Sequence, residues 1–167
     1  MTTVYIGLGS NLADPPAQVE AGLRALARLP RTRLSAHSRL YLSAPWGRVD
    51  QPAFVNAVAT LETELAPRDL LDALLALERA AGRERDGTRW GPRVLDLDLL
   101  VFGDRRIEEP GLRVPHPHLH ERAFVLVPLA EIAPGLDIPG RGRVADLLAY
   151  IDVASCVRFT ADARVAQ

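Results

Sequence analysis

The segment RWGPRVLDLDLLVF, residues 89–102, carries the pattern that decides the fold. Its second part, Val94 to Phe102, is apolar except at Asp96 and Asp98, which predicts a strand. Side chains two residues apart in a strand lie on the same face, about 7 Å apart along the chain. We therefore expect both carboxylates together on one face, with the alternating leucines turned into a core.

Strand and helix patterns extend outward from this segment on both sides. On the N-terminal side they predict three strands, at Thr3 to Leu8, Arg33 to Leu42 and Phe54 to Leu65, and a loop of Gly7, Gly9, Ser10 and Asn11. They also predict two helices. One is capped at Asp14 before Pro15, and the other starts at Pro67 and has Leu70, Leu71, Leu74, Leu77 and Ala81 on its apolar side. On the C-terminal side they predict an extended segment from Val114 to Leu119 and helices at Arg122 to Ile132 and Val144 to Ile151.

This order is β-α-β-β-α-β followed by a helical tail. It predicts an α+β fold of the ferredoxin-like plan: an antiparallel sheet with both helices on one face, and a C-terminal helical extension. A doubly wound parallel sheet would need more alternating units.

The composition is that of one ordinary domain, and we expect residues 1–167 to form it. The net charge of −1 provides no basic field for nucleic acid or an anionic membrane surface. The single cysteine, Cys156, cannot form an internal disulfide and agrees with a reducing cytoplasm. The sequence lacks a signal-peptide pattern and an apolar run of about 20 residues. We expect a monomeric, cytoplasmic protein that binds neither nucleic acid nor membrane.

All 20 basic residues are arginine, and there is no lysine. This excludes a P-loop lysine and a Schiff-base lysine. A phosphate-binding site here would need guanidinium groups, backbone amides and metal, and the planar donors of arginine match phosphate oxygens two at a time.

The two aspartates repel each other unless a cation lies between them. Mg²⁺ binds carboxylate and phosphate oxygens together. An isolated Asp-x-Asp is more often a solvent-facing strand edge, but four arginines precede this one: Arg83, Arg85, Arg89 and Arg93. They favour a site for a triphosphate and metal, in which arginine binds phosphate and offsets developing charge. Trp90 among them could pack the loop or stack on a base.

Three histidines fall within one short segment: His116, His118 and His120. They could form a zinc site. One phosphate-binding histidine and two surface histidines is the favoured interpretation, because Pro115 and Pro117 stiffen the segment.

The residues around the Asp pair resemble the signature of the 6-hydroxymethyl-7,8-dihydropterin pyrophosphokinases. The resemblance rests on Arg89 to Arg93 and Asp96 to Leu100, and extends to YIGLGSNL (Tyr5 to Leu12), Asp50-Gln51-Pro52 with Phe54 and Asn56, Val114 to His116, Arg122, Phe124 and PLAEIAP (Pro128 to Pro134). It covers roughly residues 1–150.

The resemblance implies an ATP-dependent diphosphotransferase of folate biosynthesis. Diphosphate would pass from ATP to the hydroxymethyl group of the pterin, leaving AMP. By position, the resemblance implies that Asp96 and Asp98 would hold two Mg²⁺ ions. The residues that would contact ATP are Arg83, Arg93, His116 and Arg122, and a mobile catalytic loop would contain Arg85 and Trp90. The pterin would be sandwiched by Phe54 and Phe124 and bound at its edge by Asn56, and the backbone near Ser43 and Pro45, with Trp46, would complete its pocket.

Two other functions are less well supported. A dinucleotide site at IGLGSN fails because Leu12 occupies the place of the third glycine of that fingerprint. An RNA-binding module shares the ferredoxin-like plan. However, aromatic residues make up only 5% of the chain, and no strand interleaves stacking aromatics with basic residues.

Overall fold

A computed structural model describes residues 1–44, 50–82 and 94–160. In chain order its strands are β1 (Thr2–Ser10), β2 (Thr32–His37), β3 (Tyr41–Ser43), β4 (Phe54–Thr63), β5 (Asp96–Phe102), β6 (Ile107–Glu109), β7 (Leu112–Val114), β8 (Asp137–Ile138), β9 (Gly142–Arg143) and β10 (Cys156–Arg158). Its α-helices are α1 (Pro15–Ala27), α2 (Pro67–Ala80), α3 (Ala123–Ile132) and α4 (Val144–Leu147), with 3₁₀ turns at Leu119–Glu121 and Leu148–Tyr150.

Six of the described strands form one sheet in the order β10-β3-β4-β1-β5, with β2 also paired to β4. Every pairing in this sheet is antiparallel. The predicted ferredoxin-like plan is confirmed, with β1 and β4 as the central strands. Strand β5, which carries the Asp pair, lies at one edge.

The two faces of the sheet bury different helices. Val4, Ile6 and Leu8 of β1 alternate onto the face covered by α1 and α2, as predicted. Leu26 and Leu74 of these helices are fully buried there, and each such burial stabilises the fold by about 1.5–3 kcal/mol. Helices α3 and α4 cover part of the opposite face, so the helices are not confined to one side.

A proline lies at the start of both α1 and α2. Pro15 and Pro67 occupy the first helical turn, where a missing backbone N–H costs nothing. Asp14 is the N-cap of α1, but it has a left-handed backbone (φ 63°) and makes no side-chain cap hydrogen bond. The start of α1 is therefore as predicted, whereas its cap is not.

Three predicted segments differ from the structure. Strand β1 continues through Ser10, so Gly7 and Gly9 are strand residues rather than loop residues. The predicted strand Arg33 to Leu42 is two strands, because Ser38 interrupts it: its Oγ accepts the Val58 N–H at 2.9 Å. The segment from Val114 to Leu119 is extended only to Val114 and then turns into the 3₁₀ turn.

The C-terminal extension is not purely helical. It contains α3, close to its predicted bounds, and α4, which ends at Leu147 instead of Ile151 and is continued by the 3₁₀ turn Leu148–Tyr150. It also contains the hairpin β8–β9 and strand β10, which pairs with β3. Among the helices within the described ranges, none is long and apolar enough to cross a membrane.

Candidate functional site

Asp96 and Asp98 stand together on one face at the start of β5. Both are half-buried, and Leu97 between them is buried on the opposite face, as the alternation predicted. In the sheet register, Asp96 pairs with Gly9 and Asp98 pairs with Gly7 of β1. Because glycine has no side chain, the neighbours of the two carboxylates on β1 are backbone only.

The backbone of β1 separates the two aspartates from the buried side-chain amide of Asn56. Gly9 pairs with Asp96 on one side and with Asn56 of β4 on the other. A Cβ atom built on Gly9 would lie 3.1 Å from Asn56 Oδ1 and 3.7 Å from the ring of Phe54. Asn56 and Phe54 can approach β1 this closely only because residue 9 is glycine, and we call the backbone of Gly7 and Gly9 the glycine floor.

Asn56 is held in one orientation by its neighbour on β3. Its Nδ2 donates to Ser43 Oγ at 2.6 Å, and both side chains are buried. With Nδ2 directed at Ser43, Oδ1 lies over Gly9 and is available as an acceptor. The side chain of Ser43 therefore sets the chemistry that Asn56 presents to a ligand.

A cavity rises above this floor. It is lined by Gly7, Gly9, Ser43, Phe54, Asn56, Asp96, Asp98, Arg122, Phe124 and Val125, among others. Helix α3 starts at Ala123, which places Phe124 in its first turn and Arg122 directly before it. The Arg122 guanidinium lies 5.4 Å from the centroid of the Phe124 ring, within reach of a cation–π interaction.

A second cavity lies on the outer side of β5. Its lining includes Leu71, Leu75 and Glu78 of α2, Leu112 and Arg113 of β7, His116, and again Asp96 and Asp98. The two aspartates therefore belong to both cavities. A ligand in either cavity can reach the same pair of carboxylates.

His116 is fixed to the edge of β5 and is neutral. Its backbone N–H donates to the Leu100 carbonyl at 2.8 Å. The His118 N–H donates to His116 Nδ1 at 3.2 Å, so the ring proton is on Nε2. Burial, together with the positive charge of Arg122 and the nearby His118, lowers the pKa of His116 to about 4. At neutral pH, His116 therefore offers an Nε2–H donor.

The other two histidines face Glu121. Its carboxylate lies 3.2 Å from His118 Nδ1 and 3.6 Å from His120 Nε2. In the part of the chain that the structure describes, no three His, Cys, Asp or Glu side chains form a group that could hold a metal ion. The zinc alternative therefore has no support from these histidines.

The structure brings most of the described site predictions together. Ser43, Phe54, Asn56, Asp96, Asp98, Arg122 and Phe124 line the first cavity, and His116 lines the second. Six further predicted site residues lie outside the described residues: Pro45, Trp46, Arg83, Arg85, Trp90 and Arg93.

Sequence reasoning missed two glycines and two charged residues of the site. Gly7 and Gly9 were assigned to a loop, although their spacing of two would have placed both on one face of a strand. Glu78 follows Leu74 by four residues and so lies on the buried side of α2, a position where a charge is unusual. Arg113 had no local signal and is placed by β7.

Comparison with known proteins relates this site to one family. The sequence model described as 7,8-dihydro-6-hydroxymethylpterin-pyrophosphokinase (HPPK) matches residues 5–134. A 2-amino-4-hydroxy-6-hydroxymethyldihydropteridine pyrophosphokinase of Pseudomonas aeruginosa is 58% identical over 146 residues, which are 87% of this chain and 90% of that protein. The enzyme of the same name from Haemophilus influenzae is 47% identical over 148 residues, or 89% of this chain and 92% of that protein.

A solved structure supports the fold. The chain of wild-type Plasmodium falciparum HPPK-DHPS with pteroate matches with a TM-score of 0.72 at 13% identity, over 89% of this chain. This chain spans only 44% of the Plasmodium chain, less than half. Because the family model matches most of the chain and a relative of similar length is 58% identical over 146 residues, the chain belongs to the 7,8-dihydro-6-hydroxymethylpterin-pyrophosphokinase family.

Proposed function

We propose that the chain transfers diphosphate from ATP to the hydroxymethyl group of 6-hydroxymethyl-7,8-dihydropterin, giving AMP and the pterin diphosphate. The pyrophosphokinase activity is that of its family. The observation that carries the assignment to this site is that Asp96 and Asp98 are common to two cavities of different chemistry. Two unlike substrates must meet at one charged centre in this reaction, and the shared aspartates provide one.

The first cavity suits the pterin. A flat heterocycle with donors and acceptors on its edge needs aromatic faces and directed polar groups. Phe54 and Phe124 supply rings, and Asn56, oriented by Ser43, supplies an acceptor at the floor. We assign Pro45 and Trp46 to the same pocket from the sequence resemblance.

The second cavity suits the nucleotide. Leu71, Leu75 and Leu112 give it apolar walls for a base, and Arg113 and the Nε2–H of His116 are donors for phosphate. Arg122 lines the first cavity beside both aspartates, where it can contact the transferred phosphates. From the resemblance we assign Arg83 and Arg93 to ATP, and Arg85 and Trp90 to a catalytic loop.

The aspartates fit Mg²⁺. Mg²⁺ in proteins keeps several waters and binds one or two carboxylates plus substrate phosphates, so a third protein carboxylate is not needed. Asp96 and Asp98 would hold two ions, which when bound supply charge stabilisation and alignment to the phosphates. Both carboxylates line the first cavity, and their partners in the sheet register are Gly7 and Gly9.

The residues of the chain then have distinct tasks. The first cavity would direct the hydroxymethyl oxygen at the β-phosphorus of ATP. A bond between that oxygen and the β-phosphorus forms, the bond from the β-phosphorus to the α,β-bridging oxygen breaks, and AMP leaves. Because the transition state is loose, little deprotonation of the hydroxyl is needed early. Asp98 is placed to take its proton late.

Product analysis tests the reaction directly. With MgATP and the reduced pterin, we expect AMP and the pterin diphosphate in equal amounts, because the diphosphoryl group moves as one unit. Chromatography of a quenched reaction measures both products. Accumulation of ADP, or no nucleotide turnover with this pterin, would show that the proposal is wrong.

The pterin pocket is tested by removing its rings. Phe54→Ala and Phe124→Ala are expected to weaken pterin binding far more than ATP binding, because a stacked aromatic pair contributes about 0.5–1.5 kcal/mol beyond its buried area. Calorimetric titration of each variant with each ligand measures the difference. Phe54 is the cleaner test, since Phe124 also contacts Arg122. Phe159→Ala, which removes a partly buried ring packed against the core cluster on the α1/α2 face, is the control. Equal losses for both ligands would contradict the assignment.

We also propose that the whole chain is one domain, monomeric and cytoplasmic, without affinity for nucleic acid or membrane. Both hydrophobic clusters pack on the faces of one sheet, which supports a single domain. The single cysteine is free and buried, which suits a reducing compartment. The net charge of −1 gives no general attraction to polyanions.

A further inference from the structure

A buried glutamate on α2 lines the second cavity without a role in the transfer described above. Glu78 is 2% exposed, and the other buried residues of its helix face are Pro67, Leu70 and Leu74. Burying a carboxylate is costly unless it is hydrogen-bonded or paired. The presence of a carboxylate therefore calls for a directional role.

That role is visible in its hydrogen bond. Glu78 Oε1 accepts the backbone N–H of Leu97 at 2.8 Å. Leu97 is the residue between Asp96 and Asp98, and the bond is buried. Glu78 thus forms a hydrogen bond to the backbone between the two proposed metal ligands.

The position of β5 in the sheet explains why the Leu97 N–H needs a side-chain acceptor. β5 is an edge strand, so in the described sheet it has a neighbour, β1, on one side only. Backbone groups on its outer side must find partners elsewhere. Glu78 takes the Leu97 N–H, and the His116 N–H donates to the Leu100 carbonyl at 2.8 Å on the same strand. Both contacts supply hydrogen bonds that a neighbouring strand would otherwise make on the outer side of β5.

We propose that Glu78 is a positioning residue for the Asp pair. By accepting the Leu97 N–H, it fixes the backbone plane from which Asp96 and Asp98 project and so sets their separation and direction toward metal and phosphate. The inference rests on the proposed role of the two aspartates. Side chains that support metal-binding carboxylates through hydrogen bonds typically change metal affinity or activity by about 10–100-fold when removed.

Three variants separate this role from simple packing. Glu78→Gln keeps an oxygen acceptor of the same reach. Glu78→Met keeps the length and bulk of the side chain but removes the acceptor of the buried Leu97 N–H, which is expected to lower stability. Leu74→Ala, one helical turn earlier and fully buried, removes packing without touching the Leu97 N–H and serves as the control.

Metal binding is read without turnover. Mg²⁺ is titrated calorimetrically into each variant in the presence of α,β-methylene-ATP, whose methylene group replaces the bridging oxygen of the bond to be broken. Glu78→Met is expected to bind Mg²⁺ about 10-fold or more weakly, with a loss of thermal stability no larger than that of Leu74→Ala. Glu78→Gln keeps the acceptor and is expected to bind Mg²⁺ nearly as tightly as the parent. Leu74→Ala is expected to lose thermal stability but keep its Mg²⁺ affinity.

Hydrogen exchange of the Leu97 amide supplies the second readout. We expect slow exchange in the parent and in Glu78→Gln, and faster exchange in Glu78→Met. The proposal is overturned if Glu78→Met binds Mg²⁺ like the parent, if Glu78→Gln is as weak as Glu78→Met, or if the Leu97 amide of the parent is unprotected. If the parent releases AMP normally and Glu78→Met binds Mg²⁺ like the parent, only the role of Glu78 is refuted. A parent chain that forms no AMP refutes the proposed function itself.

Discussion

Replacing Asp96 or Asp98 with alanine is expected to reduce turnover by about 10²–10³-fold while the fold remains intact. Metal-assisted charge stabilisation contributes several kcal/mol to a transition state, and each 1.36 kcal/mol is about tenfold in rate. Both side chains are half-buried and border the two cavities, so alanine leaves no void in the core. Removing one of two repelling carboxylates is expected to leave the ligand-free chain as stable as the parent or more stable.

Rapid-quench measurement of AMP in a single turnover, together with thermal unfolding of the ligand-free protein, checks both parts of this expectation. Asp104→Ala is a matched control, because Asp104 is an exposed aspartate just beyond the other end of β5 and lines neither of the two cavities. It is expected to keep the parental rate. Near-parental turnover in MgATP by either site variant would mean that the aspartates do not bind the catalytic metal.

The sequence predicted the central strands and helices because their signals are local. The alternation of Asp96, Leu97 and Asp98 follows directly from the two-residue period of a strand, and the structure confirms it. Pro15 and Pro67 fix helix starts through their own backbone chemistry. Such signals need no knowledge of distant residues.

Strand β10 had no comparable signal. Three residues, Cys156 to Arg158, form a strand only because β3 offers them an edge. The division between β2 and β3 likewise depends on Ser38 exchanging hydrogen bonds with Val58 on another strand. Contacts between residues far apart in the chain decide these elements, and short sequence windows do not contain them.

The site shows the same division between local and distant information. The Asp pair was inferred from charge and period, whereas the roles of Phe54, Asn56 and Phe124 came from resemblance to a family. The structure places these residues around one cavity, and it adds the glycine floor and the Ser43–Asn56 hydrogen bond. Neither addition follows from residue type alone, because each depends on which strands are neighbours.

The glycine floor leads to a second large expected effect. Gly9→Val is expected to weaken pterin binding by about 5–150-fold, since overpacking of a close-fitted site typically costs about 1–3 kcal/mol. A Cβ at this position would already lie 3.1 Å from Asn56 Oδ1, and valine adds two methyl groups. Valine is favoured in strands, so β1 should still form. Calorimetric titration with the reduced pterin measures the loss.

Nucleotide affinity should change little in Gly9→Val, because Gly9 lines the first cavity and not the second. Gly7→Ala is the comparison on the same face of the same strand: its Cβ would meet Leu100 at 3.5 Å, an ordinary van der Waals contact. We expect its effect on pterin binding to be much smaller. Equal losses in the two variants would indicate a general distortion of β1, and parental pterin affinity in Gly9→Val would place the pterin away from this floor. A selective loss of pterin binding would show that the space over residue 9, next to Asn56 and Asp96, is where the pterin ring lies.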